Sequence, residues 1–203
     1  MPDNHGIDFP DGGYEALIFD LDGTLAHSMP AHFEAWCKAL SDHGSPGVFP
    51  EDVFYAMGGR PTRDIVEIIN GEQGLKLDPE AIAFSKRRHF LRALDQVKEI
   101  PAVVAFARDN HGKVPMAVAS GGARQVVERT LVLLGIAELF EVVVGAEDVK
   151  AGKPAPDVFL EAAKRMGVEP GVCVVFEDAP SGITAALAAG MRPVSVPPQE
   201  FVI

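Results

Sequence analysis

The apolar run Ala16-Leu17-Ile18-Phe19 leads directly into Asp20-Leu21-Asp22-Gly23-Thr24-Leu25, which sets two carboxylates two residues apart at the end of a candidate buried strand. On a continuing strand the side chains of i and i+2 share a face, and the turn at Gly23-Thr24 leaves both at an open sheet end rather than in the core. One carboxylate can then attack an electrophile while the other moves protons. Asp and Gly are also ordinary turn residues, so the pair taken alone reads as well as a strand ending in an Asx turn.

Three downstream segments extend the chemistry. Pro115-Met116-Ala117-Val118-Ala119 is a second buried-strand candidate, and it runs into Ser120-Gly121-Gly122, where a hydroxyl and backbone without Cβ can approach an anion closely. Lys153-Pro154 follows a third apolar run, Val142-Val143-Val144, and supplies a lone cation. Val172-Cys173-Val174-Val175-Phe176 then delivers Glu177-Asp178, hard oxygen ligands suited to Mg²⁺. Each segment has a bland alternative: a loop, a solvated lysine, an acidic pair favoured by a helix dipole. Their joint occurrence at four strand ends in one order favours the chemistry.

On these residues the chain resembles the haloacid dehalogenase superfamily of phosphotransferases, whose four motifs are matched by Asp20-x-Asp22-Gly23-Thr24, Ser120, Lys153 and Glu177-Asp178. The similarity includes the longer stretches Gly152-Lys153-Pro154-Ala155-Pro156-Asp157 and Phe176-Glu177-Asp178-Ala179. Within the superfamily the chain looks most like the β-phosphoglucomutase-like group, and there its fructose-1-phosphate / 6-phosphogluconate phosphatase branch.

That resemblance implies a Mg²⁺-dependent phosphatase of small phosphorylated sugars, hexose phosphates above others. Phosphoryl transfer asks a protein for positioning and charge neutralisation, and a carboxylate nucleophile splits the reaction through an aspartyl phosphate. By resemblance Asp20 attacks phosphorus, and Asp22 protonates the leaving oxygen and later deprotonates the incoming water or hydroxyl. Mg²⁺ is held by Asp20, Asp22 and Asp178, the Asp22 backbone carbonyl included, with Glu177 among the ligands or directly behind them. Asp20, Thr24, Ser120, Gly121 and Lys153 form the phosphate-binding set, with Lys153 neutralising charge between phosphate and Asp20. The alternative is a β-phosphoglucomutase-type isomerase, which shares every catalytic residue and passes the phosphoryl group to a sugar hydroxyl instead of water. Gly122-Ala123-Arg124 in place of a more polar loop, and Ala179 where mutases commonly carry serine, favour the phosphatase. The presence of Asp22 argues against a dehalogenase, and the complete motif set against a non-catalytic phosphate-binding protein.

The substrate-side residues lie between the first and second motifs. His32 is on the shoulder of a Phe33/Trp36/Leu40 stripe and by itself reads as helix surface. The resemblance places it on the segment whose histidine gates the general acid. Lys86 matches a lysine that contacts substrate, although Arg87 and Arg88 beside it fit a charged helix face equally. Gly58-Gly59-Arg60-Pro61-Thr62-Arg63-Asp64 matches the specificity loop and leaves Arg60 and Arg63 both as candidate substrate contacts.

Positioning these groups requires a sheet. After residue 25 the chain enters a helical detour that reaches about residue 97. Phe33, Trp36, Cys37 and Leu40 fall at i, i+3, i+4 and i+7 of an amphipathic helix ended by residues 44–46; Thr62 is a candidate N-cap for a helix carrying Ile65, Ile68 and Ile69 and ended by Gly71; Asp78-Pro79-Glu80 starts a long third helix. From residue 101 helix and strand alternate, with helices at 103–109, 126–134, 158–166 and 183–189 and strands at 116–119, 142–144, 172–176 and 193–196. Near-continuous apolar strands in such alternation predict a parallel sheet with helices on both faces. The expected fold is α/β: a doubly wound, Rossmann-like core, residues 1–27 and 99–203, with an α-helical cap inserted at residues 28–98.

Bulk properties agree. The 203 residues are 47% hydrophobic and 23% charged, with no apolar stretch approaching a membrane span. A net charge of −11 argues against nucleic acid, because backbone phosphates require a basic face. An acidic enzyme for an anionic substrate must instead concentrate cations locally in its cleft. Residues 1–13 are polar and carry no secretory core, so a cytoplasmic protein is expected, a monomer with a dimer as the alternative. Cys37 and Cys173 both lie in apolar patterns and read as packing thiols.

Overall fold

The computed structural model of the chain describes residue 9 and residues 13–197. The reading of residues 1–13 as a segment without a secretory core falls, Phe9 and Gly13 apart, outside the described residues. The chain opens on β1 (Ala16–Phe19), turns, and makes the two-residue strand β2 (Ala26–His27) before four helices: α1 (Met29–Asp42), α2 (Glu51–Ala56), α3 (Thr62–Gln73) and α4 (Pro79–Arg92). It returns through β3 (Lys98–Glu99), which pairs antiparallel with β2 so that Ala26 faces Glu99 and His27 faces Lys98. Then follow α5 (Pro101–Asn110), β4 (Met116–Ala119), α6 (Arg124–Leu133), β5 (Val142–Val144), α7 (Asp157–Met166), β6 (Cys173–Glu177), α8 (Pro180–Ala188) and β7 (Arg192–Ser195).

The main sheet has the order β5-β4-β1-β6-β7, and every neighbouring pair is parallel. After β1 the chain builds outward on one side through β4 and β5, then crosses to build β6 and β7 on the other. The strand order therefore reverses at β1, and the crevice beyond the carboxyl ends of β1, β4 and β6 is where such a sheet can hold a ligand. Alternation along the strands divides the core. Leu17, Phe19, Val118 and Phe176 pack on the α5 side with Val103, Val104 and Phe106, while Ala16, Ile18, Ala117 and Val175 pack on the α7/α8 side with Phe159, Ala162 and Ala185. Covered on both faces, β1, β4 and residues 173–176 of β6 are apolar throughout, as the sequence pattern predicts, whereas the edge strand β7 carries Arg192 and Ser195.

The four helices between β2 and β3 enclose a separate apolar centre of Trp36, Leu40, Phe49, Phe54, Ile65, Val66, Ile69 and Ile82. Three details differ from the periodicity reading. The buried face of α1 is His32, Ala35, Trp36, Ala39 and Leu40, so His32 leaves the surface and Cys37 is exposed rather than packed. The stripe is rotated because the helix must cover two neighbours, the core below it and the cap centre beside it. Helix α3 continues through Gly71 to Gln73 and ends at Gly74, whose φ of +66° is the left-handed geometry that closes a helix. Helix α2 and the β2–β3 ribbon are too short for a periodic signal. No helix among the described residues is long and apolar enough to cross a membrane.

The helix end is checked by two substitutions. A Cβ at Gly71 meets nothing within 4 Å in mid-helix, so Gly71→Ala should raise stability by about 0.5–1 kcal/mol. Gly74→Ala should lower it by about 1 kcal/mol, since alanine is strained at positive φ. Denaturant midpoints in the reverse order would return the helix end to Gly71.

Candidate active site

Strand register brings the first and last motifs together. Phe19 pairs with Phe176 on adjacent strands, and the Asp20 amide donates to the Phe176 carbonyl at 2.9 Å, so Asp20 and Glu177 follow side by side. Ligand oxygens of Asp20, Glu177 and Asp178 lie within 4.8 Å of one another. Between them comes Lys153, fully buried, whose Nζ donates to Asp20 Oδ1 at 2.5 Å and to Glu177 Oε2 at 2.7 Å. The second Glu177 oxygen accepts the Ala179 amide at 2.9 Å. Asp178 accepts from the Thr24 hydroxyl at 3.2 Å, which turns Thr24 toward the acidic cluster. Gly23, at φ +95°, has no alternative residue, because a Cβ there would overlap the Asp178 carboxylate.

The electrostatics follow from this crowding. Burial, and next the charge of Glu177, raises the Asp20 pKa well above the ordinary carboxylate range. The same two causes raise Asp178 to about 7. Burial alone would discharge Lys153, but Asp20 and Glu177 outweigh it and hold the ammonium above its usual value. Three carboxylates facing one ammonium leave an excess of negative charge, and converging hard oxygens of that charge fit a divalent cation such as Mg²⁺.

Asp22 points elsewhere. Its Oδ1 accepts from Ser28 Oγ at 2.5 Å and contacts His32 Nε2 at 3.0 Å, so its carboxylate faces the cap rather than the acidic cluster. Burial opposes its charge, yet His32 and Ser28 together keep its pKa at about 2. His32 is itself pushed down by burial and by Lys86, with Asp22 opposing. The ring stacks on Phe90 with centroids 3.8 Å apart and planes 7° apart, and its buried Nδ1 has no hydrogen-bond partner. Ser28 precedes α1 at the N-cap position but makes no capping bond; its hydroxyl serves Asp22 instead.

The remaining candidates line two connected spaces. A cavity of about 90 Å³ is bounded by Asp20, Asp22, Ser120, Gly121 and Asp178 below and by His32, Trp36, Arg60 and Lys86 above. A wider cleft of about 550 Å³ shares His32, Arg60, Lys86 and Ser120 and is also lined by Arg63, Lys150 and Lys153. Ser120 is buried, and its Oγ accepts the Gly122 amide at 3.0 Å, which leaves the hydroxyl proton available to a ligand oxygen. The Lys86 ammonium lies 5.6 Å from the Trp36 ring centroid, and burial lowers its pKa to about 8, with Asp22 opposing and Arg87 adding. The two arginines separate. Arg63 is ion-paired to exposed Glu80 at 2.7 Å and reaches only the wider cleft, whereas Arg60 lines both spaces and has no ion pair among the described residues. Ser28 and Trp36 were not singled out as site residues by sequence reasoning: a serine before a helix looks like a cap, and a tryptophan on an apolar stripe looks like core.

A buried carboxylate beside a buried lysine, a second carboxylate held apart from it, a hydroxyl at a neighbouring strand end and an acidic cluster able to hold a cation together suit phosphoryl transfer. Comparison with known proteins agrees. Residues 14–190 match the family model described as haloacid dehalogenase-like hydrolase. A fructose-1-phosphate phosphatase of Escherichia coli is 42% identical over 184 residues, covering 90% of this chain and 96% of that protein. Hexitol phosphatase A of the same organism is 33% identical over 184 residues, covering 90% and 82% respectively. Among solved structures, a hydrolase from Pseudomonas syringae superposes with a TM-score of 0.80 at 25% identity, over 89% of this chain and 84% of that one.

The raised Asp178 pKa makes a signed prediction. The folded, metal-free protein holds a proton up to about pH 7 that the unfolded chain releases near pH ~4, so its stability should fall as pH rises between those values and stay lower above them. Mg²⁺ should reverse the loss at pH 8. Asp178→Asn should flatten the dependence, raise the metal-free melting temperature at pH 8 by roughly 2–4 °C for each kcal/mol of repulsion relieved, and abolish stabilisation by Mg²⁺. Thermal melts at pH 5 and pH 8 with and without Mg²⁺ check this; an Asp178→Asn protein still stabilised at the wild-type Mg²⁺ midpoint would remove Asp178 from the cation site.

Proposed function

The chain belongs to the haloacid dehalogenase-like hydrolase family and is a phosphoric monoester hydrolase, and within that class we propose a Mg²⁺-dependent phosphatase of small phosphorylated sugars, hexose phosphates such as fructose 1-phosphate above others. The observation that carries the reading is the near-full-length similarity to a fructose-1-phosphate phosphatase, supported by an acidic cluster, a buried lysine and a cationic cap face around one cavity.

In this proposal Asp20 attacks phosphorus with the carboxylate that Lys153 orients. The new bond from Asp20 to phosphorus forms as the bond from phosphorus to the sugar oxygen breaks, and Asp22 hands that oxygen a proton. Resting Asp22 is ionised, but a phosphoryl group arriving beside it favours its protonated form. Water then gives a proton to Asp22 and attacks phosphorus, which releases inorganic phosphate and restores Asp20. Ser120 and the Gly121 amide donate to oxygens of the phosphoryl group, and Lys153 neutralises the charge it shares with Asp20. Mg²⁺ held by Asp20, Asp178 and the Asp22 carbonyl, with Glu177 behind them, would supply neutralisation between carboxylates and phosphate. Thr24 acts through Asp178. On the cap side Arg60, Lys86 and His32 face the sugar, while Arg63 is engaged by Glu80.

A panel of sugar phosphates scored for both free phosphate and isomerised sugar phosphate tests the assignment; isomerised product in place of free phosphate would make the protein a mutase. Asp20→Asn should lower kcat by at least about 10³-fold with the fold intact, because the amide matches the carboxylate in shape and cannot attack. Arg60→Ala and Lys86→Ala should lower kcat/KM for hexose phosphates roughly 10- to 100-fold while changing p-nitrophenyl phosphate about threefold or less. Lys153→Ala should slow both esters alike. Equal losses on the two esters for Arg60→Ala and Lys86→Ala would show that neither reads the sugar.

A further inference from the structure

The loop between α2 and α3, residues 57–61, lies on the core at the ends of three different strands. The Gly59 carbonyl occupies space 2.7 Å from where a Cβ on Gly121, after β4, would stand. The Pro61 ring fills the position that a Cβ on Gly152, after β5, would take. Gly59 itself, at φ +78°, approaches the start of α8 after β6 so closely that a Cβ on it would lie 2.6 Å from Ser181 Oγ. Glycine at these positions lets a cap loop touch core backbone directly. One directed bond joins them: the Ser181 hydroxyl donates to the Gly58 carbonyl at 2.6 Å, between residues 123 apart in sequence.

Nothing in its own helix needs that hydroxyl. Ala179 is the N-cap of α8 and the helix has no side-chain cap, so Ser181 is free to serve the loop. The same loop carries Arg60, unpaired among the described residues and lining both the cavity and the wider cleft. We propose that Ser181 is a positioning residue: its hydroxyl latches the 57–61 loop onto the core, and so holds Arg60 over the sugar end of the substrate without touching a reacting atom. The proposal rests on the sugar phosphatase reading in its last clause alone. A bond that exists only with the loop docked shifts the population toward the docked state by its own net contribution.

The test is Ser181→Ala, which removes the hydroxyl at a half-buried position and leaves the helix backbone intact. Amide exchange of residues 57–60, measured with Mg²⁺ present, should become several-fold faster while the remainder of the protein is unchanged. kcat/KM for fructose 1-phosphate should fall roughly 3- to 10-fold, with p-nitrophenyl phosphate and the Mg²⁺ midpoint unchanged. Adding Ser181→Ala to Arg60→Ala should cost hexose phosphates little more than Arg60→Ala alone, since the latch acts through that arginine. Unchanged exchange at 57–60 overturns the latch. So does an equal loss on both esters, or a shifted Mg²⁺ midpoint, either of which would mean that Ser181 acts through the adjoining Glu177-Asp178 turn. Should the wild-type protein hydrolyse no hexose phosphate, the sugar reading fails by itself, and the exchange measurement still decides whether the latch exists.

Discussion

The Lys153 ammonium stands between the carboxylates of Asp20 and Glu177, and the ends of β1 and β6 are compatible only because it does. Parallel pairing of those strands in the observed register leaves two acids side by side and almost without solvent, each of which would be costly to bury alone. Lys153 offsets part of that cost through two short charge-assisted hydrogen bonds, with the Phe159 ring 4.9 Å from its nitrogen on the other side. Asp178 completes the crowding. One lysine cannot balance three carboxylates, so the fold carries a repulsion that a divalent cation held between them would offset. Destabilisation at that point is the physical form of affinity for the cation.

The environment of Asp22 is set by the cap. Asp22 is in the same turn as Asp20, yet both hydrogen-bond partners of its carboxylate come from the segment that leaves the core: Ser28 just after β2, and His32 one turn into α1. His32 in turn is fixed by stacking on Phe90 of α4, the last helix before the chain returns. The β2–β3 ribbon, closed by the Ile100 amide on the Leu25 carbonyl at 2.9 Å, holds both crossings of the chain at one place. Displacing α1 from the core therefore moves both groups that keep Asp22 ionised. Asp20 and Asp22, two residues apart in sequence, answer to different parts of the molecule.

Most of the core was legible because parallel strands covered on both faces must be apolar throughout, and the runs before Asp20, Ser120 and Glu177 are long enough to show it. The order of chemistry-bearing residues at their ends then restricted the site. What stayed illegible depended on contacts between distant segments. His32 looks like helix surface when α1 is given one buried face, and it is buried because the helix has two neighbours. Arg60 and Arg63 are equivalent in sequence until Glu80 of another helix takes Arg63. Gly71 and Gly74 differ by which one adopts positive φ, and a glycine in mid-helix with empty space beside it leaves no local trace. Ser28 and Ser181 resemble ordinary helix-start serines until their hydroxyls are seen bonding Asp22 and Gly58.

Two spaces meet at the motif residues. The cavity of about 90 Å³ is bounded by motif residues of the strand ends below and by His32, Trp36, Arg60 and Lys86 above. The wider cleft beside it follows the seam between cap and core, with Arg60, Lys86 and His32 on one side and the 120–122 loop on the other. Neither part encloses that space alone, so its shape exists only while the 57–61 loop is docked. The motif residues stand at the strand ends of the core. How closely two glycine-rich segments, Gly58-Gly59 and Gly121-Gly122, can approach each other sets the width of that cleft. A Cβ on Gly59 would press against Ser181 Oγ and one on Gly121 against the Gly59 carbonyl, so a side chain at either position would widen the seam.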